Sequence, residues 1–111
     1  MSAWAGIDFE GKMKMSIRVI LELHIKPEMA DGVKGGFGDT LTDTRGFEGC
    51  EEISVIENQD DPSMILVLEQ WDSREHYEAY LKWRTDRGDM DNINQISTEP
   101  HKVSYYDYVR A

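Results

Sequence analysis

The chain has 111 residues, 40% of them apolar, and carries 12 basic against 22 acidic side chains for a formal charge of -10. That is enough for one domain with one core, and its acidity repels phosphate backbones and anionic lipid surfaces, so neither nucleic acid nor a membrane is expected as a partner. A single cysteine, Cys50, excludes an internal disulfide and forms no metal-ligand spacing with neighbouring His or Cys.

No run approaches the ~20 apolar residues of a spanning helix. Asp8 and Glu10 interrupt the N-terminus where a secretory signal needs an apolar segment, so a cytoplasmic protein is expected. Residues 1–14 lack periodicity and read as a flexible N-terminal extension to a domain over 15–111, with Met13 and Met15 as conceivable later starts.

From Met15 to Ile25 the sequence alternates, with Ile17, Val19, Leu21, Leu23 and Ile25 on one face and Arg18, Ile20, Glu22 and His24 on the other, which predicts a half-buried strand. Pro27 suits a first helical position, and Glu28 and Asp31 complement the positive end of a helix. Ala30, Val33, Phe37 and Leu41 supply its apolar stripe. Gly32, Gly35, Gly36 and Gly38 each cost up to ~1 kcal/mol relative to Ala, so packing must hold this helix.

Cys50 to Glu57 reads as a second strand. Asn58-Gln59-Asp60-Asp61-Pro62 is a turn whose side chains bond their own backbone, returning the chain as a hairpin into a third strand from Met64 to Trp71. At Asp72 the period changes: Tyr77, Tyr80, Leu81 and Arg84 recur at helical steps, with Asp72 and Glu75 spaced as a capping box. Gly88 is a stop, Met90, Ile93 and Ile96 fit a short helix or an anchored loop, and Val103 to Val109 closes the chain as a strand.

Strand, helix, strand, strand, helix, strand is the split βαβ order of a ferredoxin-like α+β domain, a βαββαβ antiparallel sheet with its helices on one side. The uncovered face would carry Ile20, Ile56, Leu66, Leu68, Tyr106 and Tyr108 or their neighbours. A patch of that size rarely stays open to water, and burying each large apolar side chain is worth roughly 1.5–3 kcal/mol. A two-fold homodimer with facing sheets, a dimeric α/β barrel, is therefore expected.

There is no Gly-rich phosphate loop, HExxH, CxxC or GxSxG, so nucleotide- and zinc-dependent chemistries have no sequence support and neither cofactor nor metal is expected. What remains is a group around the third strand. Glu69 and Trp71 share a face with Val67, and a carboxylate among apolar side chains either finds a partner, such as Arg18, Arg84 or a residue of a second subunit, or has its pKa raised toward a general-base value. His76 and Tyr77 follow in the next helix. Glu69, Trp71, His76 and Tyr77 are the catalytic candidates; Phe37, Val67, Leu81 and His24 are the substrate-binding ones. Any pocket is expected to have Trp71 in its wall.

ILELHIKPEM at 20–29, FEGCEEISVIENQDDP at 47–62 and LVLEQWDSREHYEAYLKWR at 66–84 together resemble the antibiotic biosynthesis monooxygenase family, most characteristically in the E-x-W-x-S-x-E-x-Y pattern beginning at Glu69. The resemblance runs from Ser16 to the C-terminus and implies the same dimeric fold. It further implies oxidation of phenolic or quinol substrates by molecular oxygen without metal, flavin or nicotinamide, although other members isomerise small metabolites or degrade haem. Trp71 and Tyr77 match the tryptophan and tyrosine of the quinone-forming members. Val67 replaces their asparagine, removing an amide that would polarise a substrate carbonyl or peroxide. Leu81 stands where haem-degrading members carry a histidine, and no asparagine lies between Ser16 and Ile25, which argues against haem cleavage.

The reading is a small cytoplasmic, dimeric, cofactor-free monooxygenase in which Glu69 or His76 takes a phenolic proton, in a pocket formed by Trp71, Tyr77, Phe37 and Val67 between sheet and helices. The alternatives are an isomerase using the same base without oxygen, and a dimeric ligand-binding module that has lost the chemistry.

Overall fold

The computed structural model describes residues 16–109, so the expected extension over residues 1–14 lies outside the described residues. The alternating first segment, β1 (Ile17–His24), lies between β3 (Met64–Trp71) and β4 (Lys102–Asp107), with β2 (Cys50–Glu57) outside β3. All three pairings are antiparallel, with Val19 opposite Glu69 and Tyr105, and Val55 opposite Val67. A shift in register between Cys50 and Glu52 places Cys50 opposite Trp71 and Ile53 opposite Glu69.

Three helices, α1 (Ala30–Arg45), α2 (Arg74–Asp86) and α3 (Asp89–Gln95), complete the elements of the described residues. Their apolar side chains all meet one face of the sheet, in two clusters. Leu23, Ile25, Ile53, Ile65 and Val67 pack with Ala30 and Leu41 of α1 and Ile93 of α3. Val19 and Trp71 pack with Tyr77 and Tyr80 of α2, joined by Phe47, Trp83 and Tyr105. This is the ferredoxin-like βαββαβ architecture, with α3 as an added helix of about two turns before the last strand.

The two helix starts differ from the sequence expectation. Pro27 opens a 3-10 turn, Pro27–Met29, and α1 begins only at Ala30. Lys26 is tied to Ile96 by a backbone hydrogen bond (2.9 Å) and Met29 back to Lys26 (2.8 Å), which tightens the entry. At α2 the N-cap is Ser73, not Asp72: the Ser73 hydroxyl accepts the His76 backbone N–H at 3.2 Å, while the Asp72 N–H donates to the Gly49 carbonyl (2.8 Å). Asp72 is thereby held to the loop before β2, one residue too early to cap.

That loop is closed by a glycine for a steric reason. Gly49 has φ +91°, and a Cβ there would lie 2.5 Å from the Cβ and Cγ of His76. The helix glycines are different, because an added Cβ at Gly32, Gly35, Gly36 or Gly38 meets nothing within 4 Å. These glycines weaken α1 without any packing need for them. Gly35→Ala and Gly36→Ala are each expected to raise stability by roughly 0.5–1 kcal/mol, whereas Gly49→Ala should lower it by about 1–3 kcal/mol. Urea midpoints of the three variants check this, and an unchanged midpoint for Gly49→Ala would contradict the close packing of His76 on the loop.

Candidate active site

Strand alternation carries Ile65, Val67, Glu69 and Trp71 to the helix-covered face of β3, where each is at most 2% exposed. Three of the four are apolar. The fourth, Glu69, falls at the seam between the aliphatic and the aromatic cluster, and there the packing leaves a cavity of about 450 Å³, a size typical of small-molecule sites. Its floor is the sheet: Leu21, Leu23, Ile53, Val67 and Glu69. Phe37 and Leu41 of α1, Tyr77, Tyr80 and Leu81 of α2, and Met90 and Ile93 of α3 form its walls. Exposed Asp39, Asp43, Arg87 and Asn92 mark a rim between α1 and the α2–α3 turn.

The carboxyl group is held from its own strand. Trp71, two residues on and therefore on the same face, donates its indole N–H to Glu69 Oε1 at 3.0 Å. Burial pushes the Glu69 pKa up to about 7; the Trp71 bond and the charge of Arg84 only partly oppose it. The ion-pair partners considered for it are engaged elsewhere. Arg18 points to the opposite face and bonds Glu52 (2.9 Å) and Gln70 (3.3 Å). Arg84 bonds Tyr80, Asp89, Thr40 and Thr44.

Tyr77 meets Trp71 edge-on at 5.6 Å and Tyr105 at 5.7 Å. Burial, reinforced by Glu69, drives its pKa far above that of a free phenol, so it remains a hydrogen-bond donor at neutral pH. Tyr80 is locked: its hydroxyl shares a 2.8 Å bond with Thr44 Oγ1 and accepts Arg84 Nε–H at 2.9 Å. Arg84 is 6% exposed. Through Thr40 and Thr44 of α1, Tyr80 of its own helix and Asp89 of α3, it ties the three helices into one roof.

The structure thus brings Glu69, Tyr77, Phe37, Val67 and Leu81 to one cavity. Trp71 stands one layer behind it, fully buried, rather than in the wall where any pocket was expected to have it. His76 is not among the lining residues; its Nδ1 bonds Ser73 Oγ (2.7 Å) and its ring covers Gly49. His24 is carried by alternation to the other face of the sheet, where Nε2 bonds Glu22 at 2.9 Å. Cys50 is half-buried beside the aromatic cluster, and its thiol pKa is raised by burial. The residues that sequence reasoning missed are Thr44, Asp89 and Tyr80; the helical spacing of Tyr80 to Arg84 is visible in the sequence, but its polar connections run across three helices. Among the described residues no cluster of three or more His, Cys, Asp or Glu could hold a metal ion, and no helix is long and apolar enough to cross a membrane.

Comparison with known proteins adds to this geometry. A family model described as antibiotic biosynthesis monooxygenase matches residues 16–84. A crystal structure of an antibiotic biosynthesis monooxygenase aligns at TM-score 0.74 and 24% identity, covering 84% of this chain and 98% of that one. A conserved protein from Methanosarcina mazei Go1 and a protein from Shewanella oneidensis each align at TM-score 0.74 and 16% identity, covering 88% of this chain and 95% of theirs. At those identities the likeness is one of fold. No curated protein matches the chain.

The Glu69 shift has a direct stability consequence. The folded protein holds the proton up to about pH 7 and the unfolded chain only to about 4.5. Folded protein therefore binds more protons in that window, and stability is full below it, falls as pH rises through it, and levels off above about 7. The loss is on the order of 3 kcal/mol. Glu69→Gln keeps an acceptor for Trp71 and removes the charge, so urea unfolding should show the variant more stable than the parent at about pH 8 and similar to it at about pH 4.5.

Proposed function

The chain belongs to the antibiotic biosynthesis monooxygenase family, and from that premise we propose that it is a cofactor-independent monooxygenase of small phenolic or quinol substrates. The observation that carries this reading is a buried carboxyl group with a pKa of about 7 in the floor of a largely apolar cavity. An aromatic ring fits the space between the sheet and Phe37, Leu41 and Leu81, with its hydroxyl directed at Glu69. Ionised Glu69 removes the phenolic proton, and the electron-rich phenolate reduces molecular oxygen. Oxygen adds to the ring carbon as a hydroperoxide, which loses water, so that one substrate and one O₂ yield one quinone and one H₂O. The Tyr77 phenol, which stays protonated, donates a hydrogen bond to the anion that forms. Trp71 orients the base from behind.

Val67 favours a second reading. This 2%-exposed hydrocarbon lies beside Glu69 on the cavity floor, and it offers no amide to steer oxygen or polarise a carbonyl. Base-only chemistry, the isomerisation of a small metabolite, needs no such group.

Oxygen uptake with a panel of hydroquinones and naphthols separates the two. Uptake is expected with one quinone formed per O₂ consumed, and the rate should rise with pH through about 7 as Glu69 ionises. Glu69→Gln should lower the rate by about 10²-fold or more, with the stability at high pH raised rather than lowered, so that loss of rate is not loss of fold. No uptake with any member of the panel would leave the isomerase and the ligand-binding module.

The protein acts, on this proposal, as a homodimer. On the open sheet face Ile20 pairs with Leu68, and Leu66 with Ile56, which is 46% exposed. Tyr106 is 51% exposed at the β4 edge. Arg18, Gln70, Glu52 and Tyr108 close one end of this apolar strip with hydrogen bonds. A second copy of the same face covers the strip with its own. Sedimentation equilibrium should give twice the chain mass, and Leu68→Glu should give the monomer. A monomeric parent protein would rule this assembly out.

A further inference from the structure

We infer that the cavity selects an uncharged aromatic substrate and rejects an anionic one, with Asp39 and Asp43 at its rim as specificity-determining residues. The inference deepens the proposed function and rests on its reading of the cavity as the substrate site.

Two cations line the space, and both are already engaged. Arg84 donates Nε–H to Tyr80 (2.9 Å), one terminal nitrogen to Asp89 (3.0 Å), and the other to the Thr40 carbonyl (2.8 Å) and Thr44 Oγ1 (3.1 Å). Arg87 shares the same Asp89 oxygen at 3.4 Å and lies over the Trp83 ring at 4.6 Å. Two guanidiniums therefore divide one carboxylate, and the more buried of them has all three of its nitrogens already bonded within the protein.

The remaining charge in the wall is negative. Asp39 and Asp43 stand one turn apart on α1, exposed and lining the opening, and neither forms an ion pair among the described residues. With Glu69 ionised, the cavity has four carboxylates against two guanidiniums. A ligand carboxylate would thus pass two rim acids, lose its water against Leu21, Leu23, Ile53 and Val67, and stop beside Glu69, where the nearby cation, Arg84, is already divided among Tyr80, Asp89, Thr40 and Thr44. Each step disfavours the anion, and none opposes an uncharged ring of the same shape. The rim contribution is screened within ~8 Å at physiological salt, while the floor contribution is not.

The test is a matched pair of ligands with one substitution pattern, hydroxynaphthamide and hydroxynaphthoate, titrated calorimetrically into the full chain at low and high salt. The amide is expected to bind at least about ten-fold more tightly than the naphthoate. In Asp39→Asn/Asp43→Asn the ratio should narrow about three-fold or more, through tighter naphthoate binding, and most visibly at low salt. Naphthoate binding as tightly as the amide to the parent protein would overturn the inference, and a ratio unmoved in the double variant would overturn the role of the rim. Amide binding with no oxygen uptake from any hydroquinone or naphthol of the panel would refute the monooxygenase reading and leave this one standing. If neither ligand binds, the cavity is not an aromatic site and both fall.

Discussion

A carboxyl group on the buried face of a central strand is the constraint around which this structure is arranged. Strand alternation gives Glu69 no choice of side: Val67 and Trp71, two residues either way, share its face and are themselves buried. The fold accommodates the acid in two ways. It supplies one hydrogen bond, from the indole of Trp71, and it leaves the aliphatic and aromatic clusters unfused where the carboxyl group sits. The cavity is the space between those clusters. A group neither paired with a cation nor fully hydrated holds its proton near neutrality, which suits a base that must take a proton at one moment and release it at another.

The roof over that floor is unevenly built. Its firm part is the Arg84 network, a buried cation whose partners sit on all three helices, so that losing it would leave Asp89 with Arg87 alone and Tyr80 and Thr44 with only each other. Its loose part is the first half of α1, where glycines stand at positions that would accept alanine and where only Ala30 is buried. The firm end of the helix carries Leu41 and Thr44, and the loose end carries Phe37. A helix anchored at one end and weak at the other has a steep gradient of local stability along its length, and wall segments with that property are the ones drawn on when ligands enter buried sites.

Family membership and chemistry bear differently on this site. The chain belongs to the family by its model match and has the expected fold, while the cavity floor beside Glu69 is the hydrocarbon of Val67. With no amide beside the base, the hydrogen-bond donor left on the cavity wall next to it is a phenol whose own ionisation burial suppresses.

The sequence by itself determined the sheet, the order of elements, the two faces of each strand and the placing of Glu69 beside Trp71, because alternation at period two and helical spacing are local properties of the chain. It also showed that Tyr77, Tyr80, Leu81 and Arg84 share one helix face. Only the tertiary structure decided what that face meets. His76 and Tyr77 are neighbours in the chain, yet one clamps the Gly49 loop and the other lines the cavity. His24 faces away from Leu23 by alternation alone, but that the helices cover the Leu23 face, and so leave His24 outside the cavity, is decided by packing. Arg84 was available to Glu69 on spacing and was taken by Tyr80, Asp89 and the end of α1. Such assignments depend on contacts between groups tens of residues apart, and their outcome is set by which partners three helices bring within hydrogen-bond reach, a property no local stretch of sequence contains.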